Sequence, residues 1–469
     1  MHPSLALIVF MVGIAGLFFL DRESSARTSK ALWLPVIWIW IDGSRPISLW
    51  LGRPDSGLID EIVAAILIVS GVIVIVHRGR DAIFLVTRSW PIAFYFSFSL
   101  VSVAWSDFPA HGFQRWIRAL GDLVLAMIVA TDTQPITALN RLFSRAGFVL
   151  LPMSVLLIKY YPELSRGYDP WNGLQVNTGV TTNKNLLGVM AFVITLGTFW
   201  QVLRLFLDKK HPNRGRHLLA QGTLLYFGLT TLFMAHSATS GASFILGAAF
   251  LLATALPVIR SRPAAVHAFV LAILLGGCLT VLLGGRGGAT KALGRDENFT
   301  GRTEVWEVLL PMAPNPIFGA GFENFWFGPR LEFLSRRFGT INEAHDGYLE
   351  VYLNLGLLGV GLITMILVHG YWGAVGAFRR NSTLGGLLVA FVLAAAIYNI
   401  TEAGFRMLSP IWFFLLLSAM TARNVIGVST DAQDIVTAAS NARTVKRLSG
   451  LPHEVASRRQ LRTRSIKAD

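Results

Sequence analysis

Residues 347–369 read GYLEVYLNLGLLGVGLITMILVH, an apolar run long enough to cross a bilayer as a helix. It is entered from Glu343-Ala344-His345-Asp346, where Asp346 is placed to cap the helix. Further runs lie at 3–20, 31–41, 58–76, 90–105, 116–131, 146–161, 185–207, 218–235, 241–258, 264–284, 385–400 and 404–421, so the pattern predicts 12 or 13 spans. The expected fold class is an all-α integral membrane protein, a polytopic bundle with one large outer loop containing short helices.

Composition leads the same way. The 469 residues are 53% hydrophobic and 14% charged, where soluble domains carry about 25% charged residues. Mean hydropathy is +0.54. The formal charge of +14 comes from 41 basic and 27 acidic residues. The basic residues sit between apolar runs, a membrane pattern and not a nucleic-acid surface. The single cysteine, Cys278, excludes a disulfide framework and a cysteine metal site. Run 3–20 has only His2 before its apolar stretch and no small-residue cleavage site, so it is expected to stay as the first span.

One set of connecting segments is basic: Arg22/Arg27/Lys30, Arg78/Arg80/Arg88, Arg141/Arg145, Lys209/Lys210/Arg214/Arg216, Arg260/Arg262 and Arg379/Arg380. The positive-inside rule puts these, and the basic tail 423–469, in the cytoplasm. The expected order is N-terminal spans 1–161, a first outer segment 162–184, central spans 185–284, a large outer loop 285–346, C-terminal spans 347–422 and the tail. The loop 285–346 keeps seven basic residues on the outer face, and an anionic ligand is the natural reason.

Within that loop, Arg302 opens GRTEVWEVLLPM, which reads as a short amphipathic helix. A guanidinium there can grip phosphate oxygens in a bidentate way beside free backbone N–H groups. Arg286 and Arg295 are the next cations. The alternative for this loop is an interfacial helix, with Trp306 at headgroup level and Arg on lipid phosphate. His345 sits at the positive end of the next span, which predicts a neutral imidazole competent as a base. The alternative is a polar interface residue or second cap. In TTNKNLLG, Asn183, Lys184 and Asn185 mark a span mouth, either as phosphate contacts or as a cap with a snorkelling lysine. Ser237 and Ser240 close an outer hairpin, where they can contact substrate or simply pack helices. Glu402 and Arg406 share the last hairpin and read as a pair with each other.

These segments together resemble the O-antigen ligase and polymerase family of bacterial polysaccharide assembly. The carrying pieces are Gly301-Arg302 with Trp306, NPIFGAGFENF (315–325) and AHDGYLEVYLNLGLLGVG (344–361), which includes Tyr348. Asp346 stands where the family usually has Asn, and SATSGAS (237–243) lacks the arginine many members carry. Ser44-Arg45-Pro46 and Lys184-Asn185 look closest to the exopolysaccharide production branch. The resemblance implies glycosyl transfer at the outer leaflet of the bacterial inner membrane, with the C-terminus cytoplasmic. The donor would be an oligosaccharide on polyprenyl diphosphate and the acceptor a sugar hydroxyl. His345 and Arg302 would be catalytic. Lys184, Asn183, Asn185, Arg286, Arg295, Ser237, Ser240, Trp306, Tyr348 and Glu402 would bind substrate. Membrane lipids and other polysaccharide assembly and export proteins would be partners. No Asp-x-Asp motif or His/Cys metal cluster is present in the sequence, so an inverting, metal-independent reaction without cofactor is expected. Rival readings are a ligase acting on a lipid A core, and a transporter or export subunit.

Overall fold

The computed structural model describes residues 2–23, 28–54, 56–168, 173–260, 262–284, 302–339 and 341–425. Arg286 and Arg295 therefore lie outside the described residues. Met1–Arg423 form one compact unit; of a second unit, Asn424–Asp469, only the first two residues are described.

The described chain is helical apart from a small antiparallel hairpin, Arg166–Tyr168 with Gln175–Asn177. The main helices are α1 (Pro3–Leu20), α2 (Trp33–Asp42), α3 (Gly57–Arg78), α4 (Arg80–Arg88), α5 (Trp90–Ser102), α6 (Pro109–Ala130) and α7 (Pro135–Tyr160). They continue with α8 (Lys184–Leu207), α9 (Arg214–Met234), α10 (Ala238–Ala255), α11 (Pro263–Gly284), α12 (Arg302–Leu309), α13 (Gly328–Phe338), α14 (Gly347–Arg380), α15 (Ser382–Tyr398) and α16 (Pro410–Val425). Among the described residues, six helices are long and apolar enough to span a membrane, or seven if the bent pair α4–α5 is one span. This is a multi-pass membrane protein.

Helix starts follow local chemistry. Pro3, Pro109 and Pro135 sit in first turns, where a missing N–H costs nothing. Asn183, Ser237 and Asp346 cap α8, α10 and α14 with their side chains. The core is built on α7 and α8, whose most apolar windows are 78% and 83% buried. In α1 and α3 those shares are 11% and 17%, as expected of helices that face lipid.

Two readings from the sequence change. Run 90–105 is not a simple span: it meets α4 at 85°. Run 347–369 is not one straight helix. Gly356 has φ 64° and ψ −164°, so α14 is broken there. The turn-rich segment 315–321 fills the break. Leu357 N and Leu358 N donate to Pro316 O and Ile317 O, at 2.9 and 3.2 Å. Ala320 N and Gly321 N donate to Leu353 O and Asn354 O, at 3.0 and 2.8 Å. Backbone groups freed by the break thus find partners inside the protein, the condition for irregular backbone at membrane depth. A Cβ on Gly356 would lie 2.2 Å from Ile317 O, and one on Gly319 2.4 Å from Asn354 C. Both glycines are required by close approach as well as by positive φ.

Candidate functional site

The mouth of α14 is held rigidly before any chemistry is considered. The Ala344 peptide is gripped on both sides. Its N–H donates to the Glu350 carboxylate at 2.9 Å, and its carbonyl accepts from Trp306 Nε1 at 2.7 Å. Glu350, buried in the first turn of α14, also accepts from Trp326 Nε1 at 2.6 Å. Asn354 Oδ1, one turn on, accepts from Asn324 N and Phe325 N. Val305, Leu309, Phe325, Leu334 and Ile341 pack beneath as an apolar core shared by α12, α13 and the 315–325 turn.

On this platform sits His345, in a left-handed backbone conformation with φ 50°. A non-glycine residue there stores about 1–3 kcal/mol of strain and is found mainly where function demands a fixed side chain. The imidazole Nδ1 lies 3.0 Å from Glu343 Oε1 and 3.5 Å from Glu402 Oε2. Glu343 in turn meets Arg406 Nη1 at 3.1 Å. Arg406 and Arg115 converge on Glu323, at 4.0 and 3.5 Å. Glu323 is also left-handed, with φ 51°. Asn185, in the first turn of α8, donates to Glu402 Oε2 at 3.2 Å. Five segments, around 115, 185, 323, 343–345 and 402–406, therefore meet at one end of the bundle.

The electrostatics overturn one expectation. The positive end of α14 was expected to keep His345 neutral. Burial does push that way, but the bonds to Glu343 and Glu402 and their charges outweigh it and lift the imidazole to about 9. At neutral pH the ring is an imidazolium. Arg406 is partly buried, and its desolvation alone would lower its pKa; the charges of Glu323, Glu343 and Glu350 override this and hold it more firmly protonated than usual. Glu343, His345 and Glu402 each bring one ligand atom within 4.8 Å of the others, close enough to share a divalent ion. The proton on His345 and the guanidinium on Glu343 already balance that charge, so we assign no metal.

The structure sorts the remaining candidates. Asn185, His345 and Glu402 come together. Glu402 is buried and works on His345 and Asn185, so it is a support of the ring and not an exposed substrate contact. Arg406 faces Glu343 and Glu323, a correction to its expected pairing with Glu402. Asn183 caps α8, with Leu186 N donating to its Oδ1 at 2.8 Å, and Lys184 follows it. Trp306 is a strut to Ala344. The Tyr348 hydroxyl donates to Ala396 O at 3.0 Å, and its ring packs edge-on against Phe405, so it ties α14 to α15. Ser237 and Ser240 are buried and bond each other at 3.0 Å. A Cβ on Gly188 would lie 2.6 Å from Ser237 Cβ, so these serines pack closely between α8 and α10. Arg302 begins α12, at its positive end. Arg45, from Ser44-Arg45-Pro46, donates to the carbonyls of Leu164, Gly179, Val180 and Thr181 and pins the first outer segment.

Sequence reasoning missed Glu343, Glu323, Glu350 and Arg115. The available signal was charge kept at the edge of apolar runs: Glu350 inside 347–369, and Arg115 directly before 116–131.

Residues 223–364 match the family model described as O-antigen ligase. That stretch includes the 315–325 turn, the helix break and His345; Asn185, Glu402 and Arg406 lie outside it. The chain is also 28% identical over 323 residues to the exopolysaccharide production protein ExoQ of Rhizobium meliloti (strain 1021). This covers 66% of the present chain and 70% of that protein. Both matches bear out the resemblance to the O-antigen ligase and polymerase family read from the sequence, and the second is to a protein of exopolysaccharide production.

Proposed function

We propose that the protein is a membrane glycosyltransferase of polysaccharide assembly. It joins oligosaccharide repeats carried on polyprenyl diphosphate into a longer glycan at the periplasmic face. The observation that carries this reading is the Glu343–His345–Glu402 group, fixed at the mouth of a broken membrane helix beside Asn185. The acceptor hydroxyl oxygen attacks the anomeric carbon and the bond to the diphosphate oxygen breaks. The diphosphate leaves with the electron pair, and the hydroxyl proton passes to His345. With Nδ1 directed to the carboxylates, Nε2 is the nitrogen that exchanges the proton. Attack opposite the leaving group inverts the anomeric centre without an enzyme nucleophile.

The pKa of about 9 sets the sign of the pH effect. Only the neutral ring accepts a proton, so turnover rises as pH is raised from 7 towards 9. The carboxylates make the ring a stronger base at the cost of a smaller deprotonated fraction. Arg302, at the start of α12, is the proposed partner of the departing diphosphate, and Lys184 a second contact.

The decisive experiment follows turnover of lipid-linked donor by purified protein. His345→Ala should slow it about 10²–10⁴-fold with donor binding retained. Turnover by this variant near the wild-type rate would end the base assignment. The family description favours a second reading, transfer of finished glycan to another acceptor. Deletion separates the two: accumulated single lipid-linked repeats mark a polymerase, finished polymer left on its carrier a ligase. Unchanged polymer with defective export would overturn both.

A further inference from the structure

Two of the groups that set the charge of His345 come from a segment with no regular structure of its own. Residues 399–409 join α15 to α16 through turns. They bring Glu402 to His345 and Arg406 to Glu343. Irregular backbone can place a carboxylate and a guanidinium this closely only if its own N–H and carbonyl groups are held.

Two buried side chains hold them. Asn399 serves the Glu402 half. Its Oδ1 accepts from Gly404 N at 2.7 Å and Phe405 N at 2.8 Å, and its Nδ2 donates to Ala395 O at 2.8 Å. Its carbonyl accepts from Gly347 N at 2.8 Å. Gly347 opens α14 two residues after His345, and its contact with the Asn399 side chain leaves no room for a Cβ. The turn that carries Glu402 is thus closed on itself and tied to the segment that carries His345. Asp122, on α6, serves the Arg406 half. Leu408 is left-handed, with φ 55°, a conformation that leucine adopts only where its surroundings impose it. Its N–H donates to Asp122 Oδ2 at 3.0 Å, and Trp38 Nε1 donates to Asp122 Oδ1 at 2.8 Å. Asp122 is fully buried. Two N–H groups converge on it, so a carboxylate matches both where an amide, with one oxygen, matches only one.

We propose that Asn399 and Asp122 are positioning residues of the glycosyl-transfer site: Asn399 sets Glu402 against His345, and Asp122 sets Arg406 against Glu343. The inference rests on the base role given to His345 above. Its signs follow from the charges around the ring. Glu343 faces His345 from its own segment and Glu402 from the hairpin. Arg406 stands behind Glu343 and also answers Glu323 and Glu350, with Arg115 behind Glu323. Withdrawing Glu402 removes a negative charge from the imidazolium and eases its deprotonation. Withdrawing Arg406 uncovers Glu343 and makes deprotonation harder. The two anchors therefore act on the ring in opposite directions, which a general loosening of the fold does not do.

The test is an NMR titration of full-length protein in detergent with isotope-labelled histidine rings, the His345 signal being the one lost in His345→Ala. Asn399→Ser should lower the His345 midpoint by about one pH unit, and Asp122→Asn should raise it by a similar amount. The acid limb of the pH–rate profile should move with each. In an Arg406→Ala background, Asp122→Asn should shift nothing further. If either variant does not fold, Asn399→Gln or Asp122→Glu, which keeps the group but displaces it, is read in the same way. An unmoved midpoint in a folded variant, shifts of the same sign from both anchors, or a further shift in the Arg406→Ala background would overturn the proposal. The titration needs no turnover, so near wild-type turnover by His345→Ala would remove the base role and leave the positioning result to be judged by itself.

Discussion

The two ends of α8 solve the problem of buried charge in opposite ways. At the Asn185 end, acids and bases from four segments close on one another: His345 with Glu343 and Glu402, Arg406 with Glu343 and Glu323, Arg115 with Glu323. At the Arg204 end, hydrogen bonds run as far as Gln221 and stop, with a guanidinium nitrogen and two amide oxygens unmatched. The first arrangement fixes geometry before a substrate arrives, as electrostatic preorganisation requires. The second leaves three buried polar atoms without a partner among the side chains around them. Charge in a membrane protein is informative in both cases, but what it reports depends on whether the protein itself completes the pairing.

The comparison breaks most visibly if the closed network is not structural. Arg406→Ala leaves Glu343 and Glu323 without a guanidinium they now share, and in this partly buried network its removal costs about 1–3 kcal/mol. Thermal unfolding of the purified protein should show a loss of that size, and a smaller one for Arg204→Gln. Equal losses would remove the distinction between the two ends.

A finer test concerns Glu402→Gln, which keeps the shape and an acceptor for Asn185 but removes one charge beside His345. The imidazole should become easier to deprotonate, so the acid limb of the pH–rate profile should move to lower pH. A drop in rate with an unmoved profile would make Glu402 a packing residue.

The smallest expected effect is none at all. Removal of divalent ions by a chelator should leave turnover unchanged, because a proton and a guanidinium already hold the Glu343–His345–Glu402 group together. Activity lost to the chelator and restored by one divalent ion would turn that group into a metal site.

Much of this architecture is legible in the sequence. Runs 3–20, 58–76 and 185–207 lie within α1, α3 and α8, because lipid-facing and core helices are both apolar all along. Helix α6 begins at Pro109, seven residues before the apolar run suggests, since its first turns carry the polar Gln114 and Arg115, the latter bound to Glu323 at the site, and so look like loop. His345, Asn185 and Glu402 stand out as polar residues at the mouths of apolar runs. Their protonation states do not. The carboxylate that most raises His345 is two residues away, but the next comes from position 402, and the guanidinium that balances the first is Arg406. Such pairings exist only after folding, and helix-end electrostatics alone gave the wrong sign for His345. The break at Gly356 was hidden for a similar reason. A glycine in an apolar run reads as close helix packing until the 315–321 segment is seen lying against it.

That break bears on how the chain is built. A helix interrupted in its middle presents N–H and carbonyl groups that hydrocarbon cannot satisfy. The segment that satisfies them, 315–321, precedes α14 and leaves the ribosome first. When Leu357 and Leu358 emerge, Pro316 and Ile317 are already synthesised and available as acceptors. The order of synthesis therefore spares α14 any period of waiting for its partner. A rearranged gene that joined the present ends and started the chain between 321 and 347 would deliver the broken helix long before its plug. Such a chain would carry the same contacts in its final fold and still be handed to membrane quality control during insertion.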